Sequence, residues 1–429
     1  MHSSERSRPD RCPGVLAVHE AADGGLARVR LPGGLLTPAQ LEVLAGASAD
    51  LGDGRLELTS RGNIQIRALR PGAPRELSDR LYDAGLLPSI SHERIRNILA
   101  SPLSGLDQHS LYDVLTAAGD LDRQLCARTR FAELPGRFLF ALDDGRGDLA
   151  RAGADVAIQM VSAEQGALVL AGRDTGIRLG SDEVVPVMLA AAEAFLDERE
   201  AQQSSAWRLA ELENGDEAVV ARLDMWTGSG ERMGSGGGAA TGGQTGGGGA
   251  ATGGGGPATA GRVGRAGALP SGEAARAGLH GQGDGRVALV VTVPLGSLEA
   301  DQVAALVELG PQQLRVTPWR SVVLTGLTEP AVGALHEVGL VTDAGSPWNK
   351  VTACAGKPSC AKALADVRSD ARRLTPRQPK NQRPVHWSGC ERRCGKPAGE
   401  FVDVLAVGDG YSVDGSPAVA AELTVMGIR

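Results

Sequence analysis

ARVRLPGGLLTPAQ (Ala27–Gln40) and LVVTVPLGSLEADQ (Leu289–Gln302) lie far apart in the chain yet read alike, with Pro32 over Pro294 and Gln40 over Gln302 at one spacing. Each opens as a strand and runs into a helix. Thr37 is placed to cap the first helix, Pro38 suits its first turn and Gln40 completes a capping box; Ser297 through Gln302 opens the second with a similar apolar pattern. A further alternating strand follows in each copy, LELTSRGNIQI (Leu56–Ile66) and LRVTPWRSVVL (Leu314–Leu324), with Thr59 over Thr317. RLYDAGLL (Arg80–Leu87) then matches ALHEVGLV (Ala334–Val341), and the same offset lays Arg96 on Lys350 and Ala100 on Cys354. A single match of this kind arises by chance, but several in one order predict a duplicated fold about a pseudo-two-fold axis.

At 429 residues the chain exceeds one ordinary domain. Residues 228 to 285 hold 24 of its 60 glycines and no aromatic residue, too little apolar surface to offset ordering entropy. GSGGG and TGGGG there lack the strand, helix and Lys-Ser/Thr pair of a phosphate loop, so a flexible linker at 226–285 is expected between the copies. A net charge of -7 argues against nucleic acid as partner. Apolar runs are broken by Arg, Asp or Gly well before the ~20 residues of a membrane span, and the start has no apolar signal core, so a cytoplasmic protein is expected.

Four of the six cysteines fall between Cys354 and Cys394. Cys354 and Cys360 have five residues between them in TACAGKPSCAKAL, Cys390 and Cys394 three in VHWSGCERRCGKP. Four thiolates at this spacing suit a cubane iron-sulfur cluster; zinc, which takes tighter pairs, and unrelated buried thiols remain alternatives. Gly356, Pro358, Gly389 and Gly395 let backbone approach inorganic sulfide. From Lys350 to Lys396 twelve Lys or Arg face three acids, a local balance of +9 against -16 elsewhere, which makes a polyanionic ligand plausible beside the cysteines. Charges such as Arg372 and Arg373 read as a solvated helix face; Lys350 and Arg392 lie beside the motifs.

The paired cysteines, the duplicated halves and the strings LTSRGNIQIRAL and RIRNILASPLSGLD resemble the nitrite and sulfite reductase superfamily, which joins a 4Fe-4S cluster to a tetrapyrrole. RPDRCPGVLAVHEAADGGLARVRLPGGLLTPAQL, CAGKPSCAKALADVRSDA and VHWSGCERRCGKP resemble its precorrin-3B synthase branch. The resemblance spans nearly the whole chain outside the glycine-rich stretch. It implies an α+β fold of two ferredoxin-like half-domains, 12–75 and 286–345, with α/β lobes at 76–225 and 346–429, the latter holding the 4Fe-4S cluster on Cys354, Cys360, Cys390 and Cys394.

It also implies tetrapyrrole contacts at Arg61, Arg96 and Arg137, to which the repeat adds Lys350. Reductases with siroheme show a K-x-K pair where this chain has Arg137 and Leu139, and often Asn where it has Arg392; both departures argue against bound siroheme. Cys394 matches the cysteine that bridges cluster and siroheme there, and without siroheme the vacated cavity suits a metal-free substrate. The branch implies the substrates precorrin-3A and O2, NADH as electron source directly or through a donor protein, and a mononuclear non-haem iron. The competing implication is a siroheme-dependent nitrite or sulfite reductase; a third reading is an electron carrier.

No 2-His-1-carboxylate spacing marks such an iron, and the catalytic residues stay unassigned. His92, Glu93, His109 and His386 are the candidates, each read first as a packing or surface residue, as are the isolated thiols Cys12 and Cys126. No G-x-G-x-x-G fingerprint supports direct binding of NADH.

Overall fold

A computed structural model describes residues 10, 12–228, 269–377, 383–397, 399–408 and 410–418. The first unit contains β1 (His19–Ala21), β2 (Gly24–Val29), β3 (Leu35–Leu36), α1 (Pro38–Leu51), β4 (Leu56–Leu58), β5 (Ile64–Leu69) and α2 (Ala73–Asp83). Then come β6 (Ile98–Ala100), α3 (Val114–Ala127), β7 (Phe140–Asp143), β8 (Val156–Met160), β9 (Gln165–Leu170), β10 (Arg173–Gly180), α4 (Val184–Ala201) and α5 (Gly215–Gly228). The second copy has β11 (Gly278–Gly281), β12 (Val287–Thr292), β13 (Ser297–Leu298), α6 (Ala300–Glu308), β14 (Gln313–Val316), β15 (Ser321–Leu327) and α7 (Gly333–Glu337). The last unit has β16 (Val351–Ala353), α8 (Val367–Leu374), β17 (Val385–Ser388), β18 (Val402–Val407), β19 (Gly410–Val413) and β20 (Ser416–Ala418).

The duplication is carried by an exchange of strands. One sheet runs β1-β2-β5-β4-β13 and the other β11-β12-β15-β14-β3, so each half-domain lends a two-residue strand to the other's edge. Leu35 pairs with Arg315 and Leu36 with Leu314, while Ser297 pairs with Glu57 and Leu298 with Leu56. Ahead of each lent strand the chain turns through left-handed backbone, at Gly33 and Gly34 in one copy and at Leu295 and Gly296 in the other. At Gly34 a Cβ would stand 2.1 Å from the Val316 carbonyl oxygen, so only glycine fits the crossing. One apolar core runs beneath both sheets, joining Leu41, Leu44, Ile64 and Ile66 to Leu289, Val291, Leu306 and Leu314.

Thr37 and Gln40 form the expected capping box, with Gln40 N–H donating to Thr37 Oγ1 at 3.2 Å and Thr37 N–H to Gln40 Oε1 at 3.0 Å. In the second copy the cap position is Glu299, whose N–H donates to Gln302 Oε1 at 3.0 Å. Both glutamines then reach across to the end of the next helix, Gln40 Nε2 donating to the Ala84 carbonyl and Gln302 Nε2 to that of Val338.

Four expectations need correction. Leu56–Ile66 and Leu314–Leu324 are hairpins rather than single strands: Thr59 Oγ1 accepts from the N–H groups of Arg61 and Asn63, and Thr317 Oγ1 from those of Trp319 and Ser321, closing a turn in each. The core of the first half-domain runs past residue 75 to Leu77, Leu81 and Leu87. Within the expected linker, Gly278–Gly281 forms β11 against β12, while residues 229–268 lie outside the described residues. The repeat register also slips by one residue ahead of β6. Ser101 N–H donates to the Leu142 carbonyl as Cys354 N–H does to that of Trp387, so Ser101 rather than Ala100 answers Cys354, and Asn97 rather than Arg96 answers Lys350.

The lobes are duplicated too. In β6-β7-β8 and in β16-β17-β18 three strands run parallel and two antiparallel strands extend the sheet, with α3 and α8 as the first crossovers. Among the described residues no helix is long and apolar enough to cross a membrane.

Candidate functional site

Two groups of side chains concentrate the unusual chemistry. The first is the cysteine set. Cys354 follows β16 directly, and the turn after β17 brings Gly389 N–H to Cys354 Sγ at 3.1 Å. A Cβ on Gly389 would lie 2.8 Å from Ala363 Cβ and 3.5 Å from that sulfur, so the glycine is what lets the amide reach it. Leu364 N–H donates to the Gly389 carbonyl, tying the Cys360 loop to the same turn, and Arg393 N–H donates to the Cys390 carbonyl within the segment that carries Cys394. Partial desolvation pushes the Cys394 thiol up, Arg392 pulls it down, and Cys354, Cys390 and Cys360 each push it up again, so all four thiols lie within one electrostatic neighbourhood.

Among the described residues no three His, Cys, Asp or Glu side chains converge tightly enough for a single metal ion. A cubane spreads its four ligands more widely than one ion does, and an N–H donor to a ligand sulfur is what such a cluster uses to tune its potential. The Gly389 N–H on the Cys354 sulfur is a donor of that kind, so the residues present fit a cluster.

Both half-domains hold this lobe. Arg368 donates from Nε to the Cys354 carbonyl at 3.2 Å and closes a two-point pair on buried Glu57, at 2.5 and 2.6 Å. Glu57 also accepts from Ser297 Oγ, so the exchanged strand and the cysteine turn share one carboxylate. Arg67 pairs with Asp23 and donates to the Ser359 carbonyl next to Cys360, and Arg320 donates to the carbonyl of Gly395. His386 on β17 is fully buried, with Nδ1 2.8 Å from Thr352 Oγ1 and Nε2 unpartnered; burial, reinforced by Arg320, brings it down to about 4, so the ring is neutral at physiological pH.

The second group is a set of arginines around Cys12. Arg28 and Arg30 share one face of β2 and its extension, opposite the core face of Ala27, Val29 and Leu31. Arg28 Nη1 lies 3.4 Å and Arg30 Nη2 3.3 Å from Cys12 Sγ. Arg30 is 2 % exposed; its Nη2 also donates to the Pro13 and Arg94 carbonyls, while Nε and Nη1 have no partner. Burial, then the charge on Arg28, brings Arg30 down to about 9. Arg61, at the tip of the β4–β5 turn, makes no side-chain hydrogen bond or ion pair among the described residues; burial, then the charge on Arg208, brings it to about 10. Its turn is braced by Asn63, whose Oδ1 accepts from Leu31 N–H and whose Nδ2 donates to Asn97 Oδ1, and Asn97 in turn donates to the Gly136 carbonyl. Arg137, the next residue, is exposed and lies over the Trp207 ring at 5.0 Å.

Arg28 feels the charge of Arg137 and Arg30 that of Arg61, so Arg61 and Arg137 border one arginine group with Arg28 and Arg30 between them. Arg96 does not join them: it is 4 % exposed, its fork closes on Asp122 at 2.6 and 2.7 Å, and Nη1 donates to the Leu86 carbonyl, so this guanidinium is spent inside the fold. Lys350 is exposed, with Glu273 its charged neighbour. Leu139 is packed with Leu99, Ala141, Leu149 and Ala154. His92 is buried between Ser89, Ser91 and the Arg128 carbonyl, and Glu93 is consumed by the N–H groups of Val15, Leu16 and Ala17, so neither is free for a mononuclear iron; His109 lies on an exposed loop. Arg28 and Arg30 went unread in the sequence although A-R-V-R-L alternates charge against core. A separate cavity of about 260 Å³, lined by Asp143, Leu149, Gln159 and Leu269 among others, contains no member of either group.

Residues 19–84 match the nitrite/sulfite reductase ferredoxin-like half domain. The chain is 24 % identical to a precorrin-3B synthase from a Sinorhizobium species, over 95 % of this chain and 82 % of that one. It is 26 % identical to the ferredoxin–nitrite reductase of Synechococcus elongatus, over 91 % of this chain and 78 % of that one. The solved structure of the Mycobacterium tuberculosis NirA protein superposes with a TM-score of 0.65 at 21 % identity, over 91 % of this chain and 74 % of the other. The duplicated α+β architecture expected from the repeat is the one these comparisons share.

Proposed function

We propose that this chain, an oxidoreductase with the nitrite and sulfite reductase fold, is a precorrin-3B synthase, an oxygen-dependent monooxygenase of aerobic cobalamin biosynthesis. It hydroxylates precorrin-3A at C20 while the ring A acetate closes a lactone. The observation that carries the reading is the arginine group, in which Arg30 and Arg61 are desolvated with no paired carboxylate among the described residues. Such cations are costly to bury unless an anion arrives. A corrin precursor brings several acetate and propionate arms, and a guanidinium fork binds a carboxylate at two points. Arg61 and Arg137 bind those arms, with Trp207 setting the plane of Arg137. Leu139, packed in apolar surroundings, supplies no second basic group for reduction of a small anion.

Cys354, Cys360, Cys390 and Cys394 hold a 4Fe-4S cluster in this reading, with Gly389 N–H directed at the Cys354 sulfur. When bound, the cluster supplies electrons singly, as triplet dioxygen requires. One oxygen atom enters the substrate, the other leaves as water, and two electrons come from NADH, directly or through a donor protein. The described residues offer no ligand set for a mononuclear iron, and no step is assigned to one.

Incubating anaerobically purified protein with precorrin-3A, NADH, a reductase and 18O2 tests the reading: the product should gain one labelled oxygen atom. Intense siroheme absorbance with turnover of nitrite or sulfite would replace the proposal by the reductase reading. A cluster spectrum with unchanged precorrin-3A would leave an electron carrier.

A further inference from the structure

Cys12 lies outside the cluster set, and the sequence marks it as an isolated thiol. Its surroundings are not those of an inert packing residue. Two guanidinium groups donate to its sulfur, from Arg28 at 3.4 Å and Arg30 at 3.3 Å, and the side chain is only partly buried. The nearby carboxylate is Asp10, and it is engaged elsewhere: Oδ1 accepts from Cys12 N–H at 2.9 Å, and Oδ2 from Gly136 N–H at 2.6 Å while lying 3.5 Å from Arg94. Arg30, 98 % buried by its 2 % exposure, keeps Nε and Nη1 without a partner among the described residues. The group therefore has excess positive charge, a sulfur as the internal acceptor and unused donors beside it.

We propose that Cys12 is a reactive thiol within this arginine group, a modification site that selects small anionic electrophiles. Partly exposed cysteines in electropositive surroundings are the ones that react selectively, and a locally positive field concentrates anions. With iodoacetate as probe the Cys12 sulfur attacks the carbon bearing iodine, the S–C bond forms as the C–I bond breaks, iodide leaves with the bonding pair and the thiol proton passes to buffer. The added carboxymethyl group lies among the arginines, so modification and occupation by a polycarboxylate exclude each other. Only that last clause rests on the proposed function.

The test uses the full chain, purified anaerobically with its iron and sulfide measured, and peptide mapping to read Cys12 alone. The iodoacetate-to-iodoacetamide rate ratio at Cys12 should exceed that of glutathione by about 10-fold or more at low salt, and fall as salt screens the arginines. Arg28→Met, checked for an unchanged melting curve, should lower the ratio towards the glutathione value. A ratio equal to that of glutathione in the unmodified chain, or a Cys12 that labels only after denaturation, would overturn the proposal. Coproporphyrin, a metal-free tetracarboxylate tetrapyrrole, should slow the labelling. Charge-selective labelling that coproporphyrin leaves untouched keeps the thiol site and removes the tetrapyrrole from this arginine group.

Discussion

Ser101 and Cys354 are structural counterparts: each follows the first strand of its lobe's parallel sheet, and each accepts a backbone N–H from the turn after the next strand, Asp144 to Ser101 Oγ at 3.2 Å and Gly389 to Cys354 Sγ at 3.1 Å. The same backbone device thus serves a thiol in one lobe and a hydroxyl in the other. Asp143 and Asp144 stand where the second lobe has Ser388 and Gly389, just ahead of Cys390, and Ser101 Oγ donates to Asp148 Oδ1 at 2.7 Å. One copy places a thiol at this position, while the other makes a buried polar contact there.

That contact predicts a pH effect. Burial, then the charge on Asp143, raises the Asp148 carboxyl to about 7, and its Oδ2 has no partner. A folded-state value above the ordinary 3.8 means that ionisation costs stability progressively from about pH 4 to about 7, the full cost being present above that. Asp148→Asn keeps an acceptor for Ser101 and removes the ionisation. Melting temperature against pH should show the variant gaining on the parent as pH rises from 4 to 7; parallel curves would refute the assignment.

Glu57 predicts the opposite slope. Burial works to raise its carboxyl, but Arg368 outweighs it and holds the group below its ordinary 4.5. Its contribution is therefore present above pH 4.5 and is lost as pH falls below that. Glu57→Gln leaves Arg368 without its counter-charge, at a cost of roughly 3 to 5 kcal/mol for a buried pair, and should flatten the acid limb of the stability curve. Because Arg368 also donates to the Cys354 carbonyl, iron and acid-labile sulfide per chain should fall as well.

How much of this was legible depends on the range of the interaction. The Thr37–Gln40 capping box is written within four residues, and Gln302 repeats half of it, so the duplication could be read from local sequence. The turns at Thr59–Asn63 and Thr317–Ser321 could not, because apolar alternation runs straight through them and hides the reversal. Arg96 pairs with Asp122 across 26 residues, and no local pattern announces that partner. Arg28 and Arg30 alternate with the core residues of β2, and no local pattern announces that Cys12 packs against them. The four cysteines stand out as two pairs because they lie on two short loops after adjacent parallel strands.

The cluster assignment predicts that Ser substitution at Cys354, Cys360, Cys390 or Cys394 removes iron and acid-labile sulfide together, whereas Cys126→Ser leaves both unchanged. Cys126 is the fitting control: burial, then Asp122, pushes its thiol up to about 11, which makes it a poor ligand. Stoichiometric zinc without sulfide would overturn the assignment.

The sharpest contrast lies between Arg96 and Arg61. Arg96 is fully paired, so Arg96→Met strands Asp122 and should cost roughly 3 kcal/mol, a drop of several degrees in melting temperature, with no direct effect on ligand affinity. Arg61 is desolvated and unpaired, so Arg61→Met removes a cation that the fold pays to bury and should leave the melting temperature unchanged or higher. The same change should weaken binding of a polycarboxylate tetrapyrrole by about 10- to 150-fold, the loss of one charge-assisted contact worth roughly 1.5 to 3 kcal/mol. Titrating coproporphyrin against both variants, alongside thermal melts, separates the two roles. Equal affinity in the parent and in Arg61→Met would show that this arginine does not face the ligand.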